Sequence, residues 1–300
     1  MAYRRSYARR PSTRRARGGY NKRRSTKRST YRRTTKRMSR PMTRKRILNT
    51  TSRKKRDEML PYFQNGKGAT GGSGPAQFNA TTGAVFVWAA TARDFTTSTS
   101  GNTAPVSWIA ARTASSCYMV GLKETIEIQT STGLPWQWRR ICFTKKGPLG
   151  LSSAPELETT YGEQRLLYNY NAGNAGDTTD TQTLYSLIFN GAYGIDWTEP
   201  LIAKTDRNRV SVKYDRTVTV SSGNASGKLF KKNFWMPMRS TLLYDDDENA
   251  MTETGSKYST TGKIGMGDYY VVDIIRGGIG GTSSDQIQFS PCSTLYWHER

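Results

Sequence analysis

Residues 209–220 read RVSVKYDRTVTV. Val210, Val212 and Tyr214 alternate with polar neighbours, and Val218 and Val220 resume the alternation after Asp215 and Arg216. A period of two puts these side chains on one face of a pleated strand, whereas a helix would need apolar residues three and four apart. Residues 118–130 (YMVGLKETIEIQT) end in the same alternation and 136–144 (WQWRRICFT) share it, while 84–90 (AVFVWAA) and 184–189 (LYSLIF) are short apolar runs of β-prone residues, and 228–235 (KLFKKNFW), 269–275 (YYVVDII) and 286–289 with 295–297 follow as further strands. Gly, Pro, Asn and Asp clusters separate them, so about eight strands are expected. Long helical periodicity is missing. The connections at 91–107, 168–182 and 244–267 are long and polar. Unequal loops between many strands favour an all-β, antiparallel double-sheet jelly roll over an up-and-down barrel with short turns.

Charge divides the chain more sharply than hydropathy does. Residues 1–56 hold 24 of the 46 Lys and Arg and none of the 23 acids, so they carry +24. The remaining 22 basic residues against 23 acids leave residues 57–300 at −1. The net charge of +23 therefore belongs to an arm and not to the domain. Three segments follow: a disordered basic arm (1–56), a linker or entry segment (57–83) that is Gly/Ser/Thr-rich over 64–83, and a β-domain (84–300). Almost without apolar side chains, the arm cannot bury enough surface to offset its ordering entropy, and its charges repel one another.

Each arm cation that meets a phosphate releases a condensed counterion, which drives sequence-independent, salt-sensitive binding to nucleic acid. The candidate binding residues are Arg4, Arg5, Arg9, Arg10, Arg14, Arg15, Arg17, Lys22, Arg23, Arg24, Lys27, Arg28, Arg32, Arg33, Lys36, Arg37, Arg40, Arg44, Lys45 and Arg46. Tyr3, Tyr7, Tyr20 and Tyr31 are placed to stack on unpaired bases. Lys22-Arg23-Arg24 and Arg53-Lys54-Lys55-Arg56 also have the form of nuclear localisation signals, which would engage import receptors. A polybasic membrane-surface tail is the weaker alternative, because no lipidation signal accompanies it. No run of 18 apolar residues is present, so no membrane span is expected.

Chemistry is sparse in the remainder. His298 is the single histidine, which fits neither a His-based triad nor a His-rich metal site. Cys117, Cys142 and Cys292 are odd in number and widely spaced, so they read as small apolar residues and not as a disulfide framework or zinc ligands. Gly66-Lys67-Gly68 is not a phosphate loop, because Pro61 stands where the first glycine should be. Asp245-Asp246-Asp247-Glu248 is the one concentrated acidic run. It reads as a divalent-cation site, as an exposed acidic loop, or as a partner for Lys and Arg on a neighbouring subunit. No acid/base pair reads as catalytic, so no enzyme, cofactor or metal is expected.

Seven motifs in order carry a family resemblance: TSRKKRD (51–57), PWQWRRICF (135–143), KYDRTVTVSSGN (213–224), NFWMPM (233–238), LLYDDDEN (242–249), MGDYYVVDI (266–274) and LYWHE (295–299). In these the chain resembles the capsid (coat) proteins of the genomoviruses, of the gemycircularvirus type. The resemblance implies a jelly roll like that of geminivirus coat proteins. It also implies self-assembly into a small icosahedral virion of about 60 copies, as the simplest icosahedron would have, around circular single-stranded DNA. The arm would face the genome, and the protein would pass through the host nucleus. A non-viral nucleic-acid-binding protein of ribosomal or chromatin type is the alternative that the charge pattern leaves open.

Overall fold

The computed structural model describes residues 42–96 and 103–299. The chain divides into two units between Thr43 and Arg44, and the second unit runs from Arg44 onward. It opens with helix α1 (Arg44–Thr51). Eight long strands follow: β1 (Arg53–Met59), β2 (Ala84–Ala89), β3 (Ser116–Thr130), β4 (Trp136–Lys145), β5 (Ser211–Val220), β6 (Leu229–Leu243), β7 (Asp268–Gly277) and β8 (Gln286–Glu299). A second helix, α2 (Ala175–Ile188), lies between β4 and β5. Shorter strands bring the count among the described residues to sixteen, twice the number expected from periodicity.

The long strands form two antiparallel sheets, one in the order β1-β8-β3-β6 and the other β5-β4-β7-β2. The architecture is therefore all-β, as the alternation implied. A short strand, Ala76–Asn79, shares the β1 side of β8. In β8 of the first sheet every second side chain is buried: Ile287, Phe289, Leu295 and Trp297 point inward between exposed or half-buried neighbours. In the second sheet β2 and β7 are buried almost throughout. Every residue of β2 is buried, so both of its faces are covered, and its outer edge is met by the 169–170 segment, where Tyr170 N–H bonds Val85 O and Asn169 accepts from Val85 N. That explains why AVFVWAA reads as a continuous apolar run.

The core lies between the sheets. Trp138 of β4 meets Phe289 of β8 edge-on with centroids 5.7 Å apart. Phe86 of β2 stacks on the same ring at 5.9 Å. Each fully buried side chain of this size stabilises the fold by about 1.5–3 kcal/mol before entropy is counted. A four-charge cluster is sealed among these rings. Arg140 bonds Asp273 through Nε and Nη2 (2.7 and 2.8 Å) and Glu124 through Nη1 (2.5 Å). Arg165 bonds the same two carboxylates at 3.1 and 3.0 Å. Ser293 Oγ and Trp138 Nε1 donate the remaining bonds. Burial alone would raise Glu124 and Asp273, but the two guanidiniums outweigh it and hold both below the usual carboxylate range. The cluster joins β3 and β8 of one sheet to β4 and β7 of the other, so it ties the two layers in one register.

Three sequence expectations are corrected. Residues 184–189 are not a strand; LYSLI closes helix α2. The buried stripe of that helix is Asp177, Asp180, Thr181, Leu184, Tyr185 and Ile188. Half of it is polar, so no apolar helical period is visible. Asp180 accepts from Ser152 N, Ser152 Oγ and Ser153 N, and Asp177 accepts from Lys67 N and Tyr168 Oη, which supplies the burial that apolar residues would otherwise have given. Residues 44–56, expected within the disordered arm, form α1 and the first half of β1. Residues 57–83, expected as a linker, include the end of β1 and the strands Pro61–Gln64, Gly72–Ser73 and Ala76–Asn79, with Met59 and Phe78 buried. β1 escaped notice because only Lys55 and Met59 of its seven residues are fully buried.

Candidate nucleic-acid interface

The candidate binding residues fall into two groups. Arg4, Arg5, Arg9, Arg10, Arg14, Arg15, Arg17, Lys22, Arg23, Arg24, Lys27, Arg28, Arg32, Arg33, Lys36, Arg37 and Arg40 lie outside the described residues. Arg44, Lys45 and Arg46 lie on α1, with Arg46 exposed. The second basic cluster lies in β1, and the pleat splits it. Arg53, Lys54 and Arg56 are exposed, whereas Lys55 points inward. Lys55 Nζ pairs with Glu299 at 3.2 Å and donates to Ala111 O (2.8 Å) and Thr113 Oγ1 (3.0 Å). It is therefore part of the fold and is not available to phosphate or to an import receptor.

β1 pairs with β8 so that Lys54 stands opposite His298, Arg56 opposite Tyr296 and Glu58 opposite Thr294. These residues lie on the outward face of the first sheet. Next in line is β3, where Tyr118 is opposite His298 and Gly121 opposite Tyr296. On β6, Trp235 stands opposite Lys123, two residues along β3 from Gly121. Its ring lies over Gly121, where a Cβ would come within 2.9 Å of the indole and 2.7 Å of Met236 O. Trp235 thereby reaches Tyr296, with centroids 5.9 Å apart, and Tyr118 reaches His298 at 6.1 Å. Trp235 and Tyr118 remain 47% and 42% exposed. Beside the rings is a polar concavity of about 210 Å³ lined by Arg56, Glu58, Lys123, Thr125, Cys292, Thr294 and Tyr296. Burial and the neighbouring Lys54 both pull His298 below its ordinary value, so at neutral pH it presents an uncharged ring.

Sequence reasoning placed the interface in the arm and missed this face. The signal was present in Tyr118, Trp235, Tyr296 and His298, but these residues are far apart in sequence and only strand pairing brings them together. Of the seven tryptophans, Trp88, Trp136, Trp138 and Trp297 are core, Trp197 is half-buried against it, and Trp108 and Trp235 are exposed.

The acidic run does not converge. Asp246 forms a bidentate pair with Arg112 of its own chain (2.5 and 2.9 Å), and Asp245, Asp247 and Glu248 are exposed. Among the described residues no group of three or more His, Cys, Asp or Glu side chains is arranged to hold a metal ion. Cys117 and Cys142 are free and buried, and burial pushes both thiols up, Cys142 to about 12. Cys292 is also free but exposed. No helix among the described residues is long and apolar enough to cross a membrane. Neither a protein-family model nor a curated protein matches the chain.

Proposed function

We propose that this protein is a viral capsid protein that closes a small icosahedral shell around circular single-stranded DNA, held by its basic arm. The observation that carries the reading is the charge partition: +24 in residues 1–56 and −1 in residues 57–300. A near-neutral domain can pack beside its own copies without mutual repulsion, while the arm neutralises an enclosed polyanion. About 60 copies would bring roughly 1,400 positive charges, enough to balance a genome of order 1–3 thousand nucleotides at near one-to-one neutralisation. The arm's basic clusters would also serve nuclear import before assembly.

Strand order supports a jelly roll. In chain order the long strands pair β1 with β8, β2 with β7, β3 with β6 and β4 with β5. Those are the four rungs of one long antiparallel ribbon. Rolling that ribbon adds β8 beside β3 and β7 beside β4, both of which are present. The result is the double sheet common in viral shells. Exposed apolar side chains at the sandwich loops support assembly: Ile195 and Ile202 between α2 and β5, Met251 and Ile264 between β6 and β7, and Ile279 between β7 and β8. Side chains of this kind anchor subunit contacts where neighbouring copies bury them.

Negative-stain imaging of the purified full chain, with nuclease-protected nucleic acid typed from the same sample, tests the reading. Closed particles protecting single-stranded DNA are expected. Deleting residues 2–41 should leave the β-domain folded and the particles empty. Arm-deleted particles that still enclose full-length DNA would sink the role of the arm. Monomers or small oligomers that bind nucleic acid without closing a shell would favour the ribosomal or chromatin alternative.

A further inference from the structure

The outward face of the β1-β8-β3-β6 sheet has features that a solvated sheet face does not need. A half-exposed tryptophan forfeits burial of a large apolar ring. Here Trp235 is not splayed into solvent. It lies on a floor cleared by Gly121 and touches Tyr296. The second ring pair, Tyr118 with His298, is one outward position further along β8. Successive outward residues of a strand are about 7 Å apart, so the two pairs form neighbouring rungs. Cations stand beside them: Lys54 and Arg56 on the β1 edge, and Lys123 on β3 opposite Trp235. Glu58 also faces this surface beside Arg56, while Glu127 stands opposite Lys231 at the far end, away from the rings. The strand that supplies Lys54 and Arg56 follows directly from the polycationic arm.

We propose that this sheet face is a second nucleic-acid site, distinct from the arm, which takes a single strand. Bases stack on the Trp235–Tyr296 and Tyr118–His298 rungs, and phosphates are met by Lys54, Arg56 and Lys123. Aromatic rings stack every base and so need no sequence match. A duplex, whose bases are already stacked on one another, has none to offer. The site rests on the reading of the protein as a nucleic-acid binder. It also deepens that reading, because rings separate single from double strands where arm charge cannot.

The test uses the full chain, dissociated to subunits, and an oligo(dT) of roughly 20 nucleotides, with oligo(U) and a duplex of equal length alongside. Affinity is measured in low salt and near 0.5 M salt, where arm–phosphate binding is largely suppressed. Wild-type protein should keep a single-strand component at high salt. Trp235→Ala and Tyr296→Leu should each lower that component roughly tenfold and leave duplex binding unchanged. Both side chains face outward, and an unchanged urea midpoint verifies the fold. An iodouracil-substituted strand gives a readout that needs no variant, and its photocrosslinks should include peptides carrying Tyr118, Trp235 or Tyr296. Unchanged high-salt affinity in both variants, an equal loss for duplex, or crosslinks confined to residues 1–46 would overturn the site while leaving arm binding intact. A wild-type chain that binds no oligonucleotide at any salt would overturn the site and the capsid reading together.

Discussion

The buried charge cluster makes a prediction that runs against simple addition of damage. Replacing Arg140 by Met removes three hydrogen bonds, two to Asp273 and one to Glu124. It also changes the balance of the sealed site from two cations and two anions to one cation and two anions. Glu124, Arg140, Arg165 and Asp273 are all essentially without solvent access. Breaking such a site by removing one partner costs about 3–5 kcal/mol, chiefly because a charge is left uncompensated. Adding Glu124→Gln restores neutrality. Asp273 then keeps Arg165 at 3.0 Å and Trp138 Nε1 at 2.8 Å, while the Gln carbonyl can accept from Arg165 and Ser293. The double variant should therefore be more stable than Arg140→Met alone, by about 1–3 kcal/mol, the range of coupling seen between contacting residues. Urea unfolding of dissociated subunits at pH 7, followed by tryptophan emission, would measure it, with Trp138 reporting from within the cluster. If the two substitutions simply add, charge balance is not what holds the site, and the reasoning fails.

Three further predictions concern other parts of the fold. Lys55→Met should destabilise by about 3 kcal/mol, because Glu299 is left buried and charged, whereas Arg53→Ala and Arg56→Ala should shift the urea midpoint little; equal effects from all three would contradict the inward placement of Lys55. Asp180→Ala should loosen α2 and cost about 1–3 kcal/mol, since two N–H groups and one hydroxyl of residues 152 and 153 lose their acceptor, and hydrogen exchange across residues 175–188 should accelerate. Burial pushes Asp268 up to about 6 from 3.8, despite bonds from Ser259, so the protonated form is favoured in the folded state. Its contribution is full below about pH 4 and is lost as pH rises through 6; at neutral pH the ionised, buried group costs up to about 3 kcal/mol. Asp268→Asn should flatten the stability profile between pH 4 and 6.5, and a profile parallel to wild type would refute the assignment.

The sequence by itself determined the charge partition and the strand-rich class. Both depend on local quantities: the signs of neighbouring side chains, and a period of two that shows wherever one sheet face is apolar, as in RVSVKYDRTVTV. It failed where burial is polar. β1 reads as a charge run because its inward Lys55 is neutralised by Glu299, which lies far along the chain. α2 reads as a polar loop followed by a short strand because its inward stripe begins with two aspartates whose partners come from other segments. The outward face of the first sheet failed for another reason. Tyr118, Trp235, Tyr296 and His298 become neighbours only through the β6-β3-β8 pairing, and nothing local marks them as a set. Tertiary structure alone decided which cations face solvent and which rings share a face, because strand register connects residues more than a hundred positions apart and local sequence records none of it.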